Sequence, residues 1–255
     1  MPDRLAAGDA APDFTLTSDT GEQVSLSDLR GASGKVLPIV WIGIALSVFQ
    51  QFVGINVIFY YSTTLWQAVG FEESQSLLFN VITSITNIVV TIVAILLVDK
   101  IGRRRLLLWG SAGMALSLGT MAVAFSQAVT EGSGPDQSVS LPEPWGVIAL
   151  VAANAFVVSF GATWGPMVWV LLGEMFPNSI RGMALGVAAA AQWLANFVIT
   201  TTFPRLASTS LVLAYGLYAA FAALSFLFVF KVIEETKGKE LEEMGEETPV
   251  TQPAT

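Results

Sequence analysis

The sequence contains no cysteine and no histidine. Without cysteine there can be no disulfide, no thiolate metal ligand and no catalytic thiol. Without histidine the chain lacks the side chain that most often carries protons near neutral pH and most often binds metals. We therefore expect no metal site, no cofactor and no enzymatic activity.

Charged residues are also scarce. They make up 13% of the 255 residues, while hydrophobic residues make up 53%. Soluble domains carry about 25% charged residues, so this composition favours a membrane protein, for which membrane lipid is an expected partner. Much of the net charge of −8 comes from an acidic tail after Lys231, which we expect to be solvated. No nucleic-acid partner is expected.

Long apolar stretches fill the middle of the chain. Each reaches the ~20 residues that a helix needs to cross the hydrocarbon layer. The predicted fold is an all-α membrane protein, a six-transmembrane-helix bundle over 36–231 with an acidic cytoplasmic tail over 232–255. The predicted spans lie at about 36–66, 77–98, 106–128, 145–172, 183–204 and 210–230.

The first 35 residues have a different pattern. Phe14 and Leu16 precede a turn signal at 19–21, and Val24 and Leu26 follow it. This spacing by two predicts a short hairpin. The first 30 residues contain no apolar core of the length found in a cleavable signal peptide.

Lysine and arginine predict the orientation in the membrane. Every basic residue except Arg205 falls on one side of the predicted spans. The positive-inside rule therefore predicts a multi-pass protein of the cell membrane with both termini in the cytoplasm.

Several amide side chains lie within the predicted spans. A buried amide is costly unless it is paired, and the simplest interpretation is hydrogen bonding between helices. The alternative is a site for a polyhydroxylated ligand, in which amides pair with hydroxyls and the indoles of Trp169 and Trp193 cover a sugar ring. The amides are Gln50, Gln51, Asn56, Asn87, Gln192 and Asn196.

Two spans are interrupted by helix-breaking residues. Gly54 and Asn56 interrupt the first span, and Gly161, Gly165 and Pro166 interrupt the fourth. Broken helices in a membrane are tolerated where protein or a water-filled cavity satisfies the backbone, and they often mark the binding site of a transporter.

Charged residues gather at the predicted cytoplasmic ends of the spans. No charged residue lies at mid-membrane depth, so this chain alone supplies no intramembrane acid for proton coupling. The motif "DKIGRRR" at 99–105 is either a simple positive-inside loop or part of a charge latch between helix ends, and its spacing favours neither. The latch candidates are Asp99, Arg103, Arg104, Glu174, Arg181 and Glu235.

Five motifs in order resemble the sugar porter family of the major facilitator superfamily, above all its bacterial proton–xylose symporters and glucose carriers. They are "QQFVGINVIFYYS", "DKIGRRR", "WGPMVWVLLGEMFPNSIRG", "AAQWLANFV" and "EETKGKELEEM", within 36–244. The resemblance implies helices seven to twelve of a twelve-helix carrier. It implies a charge latch at the positions given above and sugar binding by Gln50, Gln51, Asn56, Asn87, Trp169, Gln192, Trp193 and Asn196.

The resemblance covers only half of such a carrier. Alternating access rocks one half against the other, so we expect a pentose or hexose carrier to need a separate first half or a second copy of the chain. The alternative is a non-transporting fusion or truncation product, or a membrane protein that only binds or scaffolds.

The segment 1–35 resembles the opening of the bacterioferritin-comigratory-type peroxiredoxins, in "LAAGDAAPDFTLTSDTGEQVSLSDLRG". The resemblance implies a cytoplasmic fragment and linker that ends before the peroxidatic cysteine of that family. Peroxidase activity is excluded because the chain has no cysteine.

Overall fold

A computed structural model of the chain describes residues 15–17, 23–25, 36–68, 70–131, 138–178 and 180–235. This part of the chain is almost entirely helical. The helices are α1 (Pro38–Phe52), α2 (Ile55–Tyr60), α3 (Ser62–Ala68), α4 (Glu73–Ile101), α5 (Arg103–Phe125), α6 (Trp145–Gly161), α7 (Trp164–Met175), α8 (Arg181–Thr209) and α9 (Leu211–Val232).

The predicted six spans are confirmed in the described part of the chain. Four are single helices, while α1 with α2 and α6 with α7 each form one interrupted span. By length and composition all are able to cross a membrane. They run over Pro38–Tyr60, Glu73–Leu96, Arg103–Phe125, Trp145–Met175, Arg181–Thr209 and Leu211–Val232.

Two short hairpins lie outside the bundle. β1 (Thr15–Thr17) pairs with β2 (Gln23–Ser25) in antiparallel register, which confirms the predicted hairpin. β3 (Val129–Glu131) pairs with β4 (Ser138–Ser140) in the connection between the third and fourth spans, where the sequence analysis placed no strand. Most of 1–35, and the tail from 236 onward, lie outside the described residues, so the predicted boundaries of both segments stay predictions.

The first break in a span lies at Gly54. Its φ of 83° is in the left-handed region, which only glycine adopts without strain. A Cβ atom there would lie 2.8 Å from Cδ2 of Tyr218 on α9. The turn separates α1, which carries Gln50 and Gln51, from α2, which carries Asn56.

The second break separates α6 from α7 at residues 162 and 163. Pro166 has no backbone N–H, so it cannot donate to the carbonyl of Ala162 as a continuing helix would require. The break predicted from Gly161, Gly165 and Pro166 is therefore confirmed.

A proline in the fifth span does not interrupt its helix. Pro204 lies inside α8, where it cannot donate to the carbonyl of Thr200. The Tyr61 hydroxyl donates to that carbonyl instead, at 3.1 Å. The Tyr61 ring also packs on Phe203, with 5.0 Å between ring centroids. One tyrosine thus joins the end of α2 to α8 beside Pro204.

The core lies where α5 packs against α6 and α9 and where α1 packs against α8. Large side chains such as Leu107, Met114, Phe156 and Tyr215 are completely buried there. In contrast, α4 presents an apolar surface, with side chains such as Ile85 and Ile92 each 56% exposed. Such a surface is compatible with lipid or with a protein neighbour, but not with water.

Replacing Gly54 by alanine is expected to destabilise the bundle. The left-handed backbone alone costs about 1–3 kcal/mol for a residue with a side chain, and the new methyl group would press on the buried Tyr218 ring. Thermal unfolding of the purified protein in detergent measures the effect as a lower midpoint.

Gly119→Ala is the matched control for this substitution. Gly119 lies inside α5 with open space at its Cβ position, so alanine should leave stability unchanged or raise it by up to about 1 kcal/mol. Equal midpoints for the two variants would contradict the structural role of Gly54.

Candidate functional site

A cavity of about 360 Å³ lies among α1, α2, α4, α8 and the break between α6 and α7. No charged side chain is among its described lining residues. Six of the predicted binding residues come together in its wall, although they are far apart in sequence. The lining residues are Gln50, Gln51, Ile55, Asn56, Phe59, Tyr60, Asn87, Phe160, Gly165, Gln192 and Trp193.

Gln50 is held by the backbone of the α6–α7 break. Its Nε2 donates to the carbonyl of Trp164 at 2.9 Å and to that of Gly165 at 3.2 Å. Carbonyls accept only, so these contacts determine which end of the amide faces the backbone. The other end, Oε1, is buried without a protein partner.

Asn56 joins α2 to the neighbouring amides. Its Nδ2 donates to Oε1 of Gln51 at 2.6 Å and to Oδ1 of Asn196 at 2.8 Å. Asn196 thus contacts a lining residue but does not itself line the cavity. These contacts agree with the interpretation of the amides as interhelical hydrogen bonds. They also use both amide hydrogens of Asn56. Its Oδ1 can still accept a hydrogen bond.

Gln192 lies one helical turn before Asn196 on the same face of α8. It lines the cavity, and its Oε1 is buried without a protein partner. Leaving a buried acceptor unsatisfied costs about 1–3 kcal/mol. Two residues of the lining, Gln50 and Gln192, thus each carry a buried acceptor that has no protein partner.

Asn87 reaches the cavity from α4 because Gly161 lets α4 approach closely. A Cβ atom at position 161 would lie 2.8 Å from Oδ1 of Asn87. The last residue of α6 must therefore be glycine for the Asn87 side chain to keep its place.

The two predicted indoles differ in position. Trp193 lines the cavity and is 66% exposed, so it lies at the rim. Trp169 is 42% exposed and is not among the lining residues, so its role in binding remains only a prediction.

The sequence analysis missed some apolar parts of the wall. Phe59 and Tyr60 lie three and four residues after Asn56 on α2 and line the cavity with it. That helical spacing was a usable signal. Phe160 had no comparable signal, because its position depends on where α6 ends.

Three of the predicted latch residues meet around Arg103 at the start of α5. Its guanidinium bonds to both carboxylate oxygens of Glu174 at the end of α7, with a shortest distance of 2.6 Å. These side chains are only 13% and 22% exposed. Glu235 accepts a hydrogen bond from the Arg103 backbone N–H at 2.9 Å. Three helix ends are thereby joined.

The other latch candidates make different contacts. Arg104 donates to the carbonyl of Phe230 at 2.8 Å, and Arg181 donates to that of Phe176 at 3.1 Å. In the described residues these two arginines therefore bind main chain rather than the Arg103–Glu174 pair. The side chain of Asp99 lies outside the described part of the structure.

The sugar (and other) transporter family matches residues 13–247 of the chain. The chain belongs to this family. Its similarity to named transporters is high. It is 57% identical over 219 residues to the glucose transport protein of Synechocystis, covering 86% of this chain and 46% of that protein. It is 37% identical over 243 residues to the D-xylose-proton symporter of Escherichia coli K12, covering 90% of this chain and 46% of that protein.

Solved structures agree with this membership. The major facilitator superfamily proton:xylose symporter XylE bound to 6-bromo-6-deoxy-D-glucose superposes with a TM-score of 0.70 at 38% identity, covering 82% of this chain and 42% of that one. The inward open conformation of the E. coli xylose transporter gives a TM-score of 0.68 at 39% identity, covering 82% and 41%.

The chain spans about half the length of these relatives. The expected half of a major facilitator fold is therefore confirmed. The resemblance of the first 35 residues to a peroxiredoxin finds no support in these comparisons, since the match to the transporter family already begins at residue 13.

Replacing Glu174 by glutamine is expected to destabilise the chain by about 1–3 kcal/mol, because a hydrogen bond between charged groups is lost and the Arg103 guanidinium stays largely buried without its counter-charge. Thermal unfolding in detergent measures the loss.

Glu73→Gln is the control for this substitution. Glu73 is exposed in the first turn of α4, so its neutralisation should change stability by no more than about 0.5 kcal/mol. A Glu174→Gln variant as stable as the Glu73→Gln variant would show that the latch contributes nothing to stability.

Proposed function

We propose that the chain is the second half of a monosaccharide carrier and that it binds a pentose or hexose in the amide-lined cavity. The observation that carries this proposal is the pair of buried acceptors, Oε1 of Gln50 and Oε1 of Gln192, which have no protein partner. Hydroxyl groups of a sugar would donate to both.

The chemistry of the wall supports a neutral polyol. The described lining residues carry amides, aromatic rings and aliphatic groups but no charge, so an ionic ligand would find no counter-charge. Each hydroxyl both donates and accepts, which suits a wall that offers amide oxygens and amide hydrogens. Trp193 at the rim would cover the C–H face of the sugar ring. The volume of about 360 Å³ lies at the small end of the range for ligand pockets.

A second six-helix unit would complete the carrier. Trp193 and Tyr60 line the cavity yet are 66% and 62% exposed, so the cavity opens at the surface of this bundle. The apolar surfaces of α4 and α8 lie beside it. We propose that a first half or a second copy of the chain covers this opening and provides the counterpart for alternating access.

The basic residues support an orientation with both termini in the cytoplasm. Lys100 and Arg103 lie at the α4–α5 junction, Arg181 at the start of α8 and Lys231 at the end of α9. The contacts of Arg103 with Glu174 and of Arg104 with Phe230 bring these helix ends together. Arg205 lies near the opposite end of α8. The positive-inside rule assigns the basic end to the cytoplasm.

The second candidate function is sugar binding without transport. It is favoured by the fact that the cavity wall described here comes from one bundle only. The two candidates share the binding site and differ in flux, so binding and flux have to be measured separately.

Gln192→Ala is expected to weaken sugar binding about tenfold, which corresponds to the loss of one good hydrogen bond. The wild-type chain itself should bind D-xylose or D-glucose only weakly, because one bundle provides only part of the wall. Ligand-detected NMR titration of the protein in detergent measures both affinities. The control is Ser126→Ala, since Ser126 is exposed beyond the end of α5 and bonds only locally. Equal affinities of the two variants, or submicromolar binding by the wild type, would contradict the proposed site.

Liposomes that contain only this chain are expected to show no sugar counterflow at low protein density. Counterflow should rise when the first six helices of the Synechocystis glucose transport protein are reconstituted with it. If the chain pairs with its own copy, flux without the added half should rise with the square of protein density. Binding without flux in either preparation would reject the carrier and leave the non-transporting candidate.

A further inference from the structure

Trp164 is a buried residue with a polar role, although it does not line the cavity. It is the first residue of α7 and its side chain is completely buried. Its indole Nε1 donates to the carbonyl of Leu107 and to the hydroxyl of Ser111, both on α5 and both at 3.0 Å. Ser111 in turn lies 2.9 Å from the hydroxyl of Ser225 on α9.

The main chain of the same residue contacts the binding site. Its carbonyl accepts from Nε2 of Gln50 at 2.9 Å, and the carbonyl of the next residue, Gly165, accepts from the same nitrogen at 3.2 Å. The position of these two carbonyls decides how the Gln50 amide is turned. It therefore also decides where the unpartnered Oε1 of Gln50 lies.

The first turn of α7 depends on this anchor because α6 does not continue into it. The break at residues 162 and 163 interrupts the helical ladder. In the described residues, the indole makes the side-chain hydrogen bonds that tie this turn to α5. Gly110 allows the approach, since a Cβ atom there would overlap the Thr163 side chain.

We propose that Trp164 is a positioning residue for ligand binding. Its indole holds the first turn of α7 on α5, so that the Trp164 and Gly165 carbonyls bind the Gln50 amide nitrogen and present Oε1 as a fixed acceptor for a ligand hydroxyl. This inference rests on the proposed sugar site, but the anchor itself exists without sugar.

Trp164→Phe tests the anchor, because it keeps an aromatic ring and removes the N–H donor. The variant should shift the side-chain amide resonance of Gln50 in the sugar-free protein. That signal is recognised in ¹⁵N-glutamine-labelled protein by its loss in Gln50→Ala. The variant should also weaken D-glucose or D-xylose binding about tenfold. In the Gln50→Ala background, Trp164→Phe should change affinity less than twofold, since the group that it positions is gone.

Two further variants make the test independent of folding defects. Incorporation of 3-benzothienylalanine at position 164 keeps the size of the indole and lacks only its donor, so it should reproduce the Trp164→Phe result if packing is intact. Trp109→Phe, at a position 62% exposed on α5, should change neither the Gln50 resonance nor affinity.

The outcomes separate this inference from the proposed function. A wild-type chain that binds neither sugar would reject the proposed function, while the Gln50 resonance would still report the anchor. An unchanged resonance in the benzothienylalanine protein, or an equal loss of affinity with and without Gln50, would overturn the positioning role of Trp164.

Discussion

The constraint on which this structure depends is that polar groups in hydrocarbon must find partners within the protein. The chain interrupts two of its membrane spans and places a proline inside a third. Each interruption changes the local pattern of backbone bonds. At Pro204 a side chain from elsewhere supplies the missing contact, because the Tyr61 hydroxyl donates to the carbonyl of Thr200, and at the α6–α7 break Gln50 of α1 donates to two neighbouring carbonyls. The breaks are therefore also points where separate helices are joined.

The same constraint shapes the candidate binding site. Gln50 donates to two carbonyls beside the α6–α7 break, and Asn56 donates to two neighbouring amides. When an amide donates in this way, its own oxygen can still accept a hydrogen bond. Where its partner is another amide, the nitrogen of that partner can still donate one. The cavity is lined by several of these amides. The interpretation of the amides as interhelical contacts is supported by the hydrogen bonds of Gln50 and Asn56, while their interpretation as ligand contacts stays a prediction.

Much of this could be predicted from the sequence because it depends on local pattern. Hydropathy over about 20 residues determines a span, and Gly54 and Pro166 determine where two of them break. The spacing of Gln192 and Asn196 places both on one face of α8. What could not be predicted depends on rotation and side-chain direction. Trp164 and Trp169 are five residues apart, about 140° around a helix, and no sequence rule said which one would face the interior. Likewise, the spacing of the arginines did not reveal that Arg104 and Arg181 would bind carbonyls instead of carboxylates.

The contacts of α7 explain how helices far from the cavity control its shape. This helix has only 12 residues, and both of its ends are bound to α5: Trp164 at the first turn and Glu174 at the last. In turn, α5 is bound near its own middle to Ser225 of α9. At its own start it is bound to Glu235, which lies in the segment after α9. A shift of α5 along or around its axis must therefore move α7, and with it the carbonyls that hold Gln50. Because α5 contributes no residue to the described lining, it can act on the cavity only through the helices that it contacts, and the Trp164 indole is the contact that leads to Gln50.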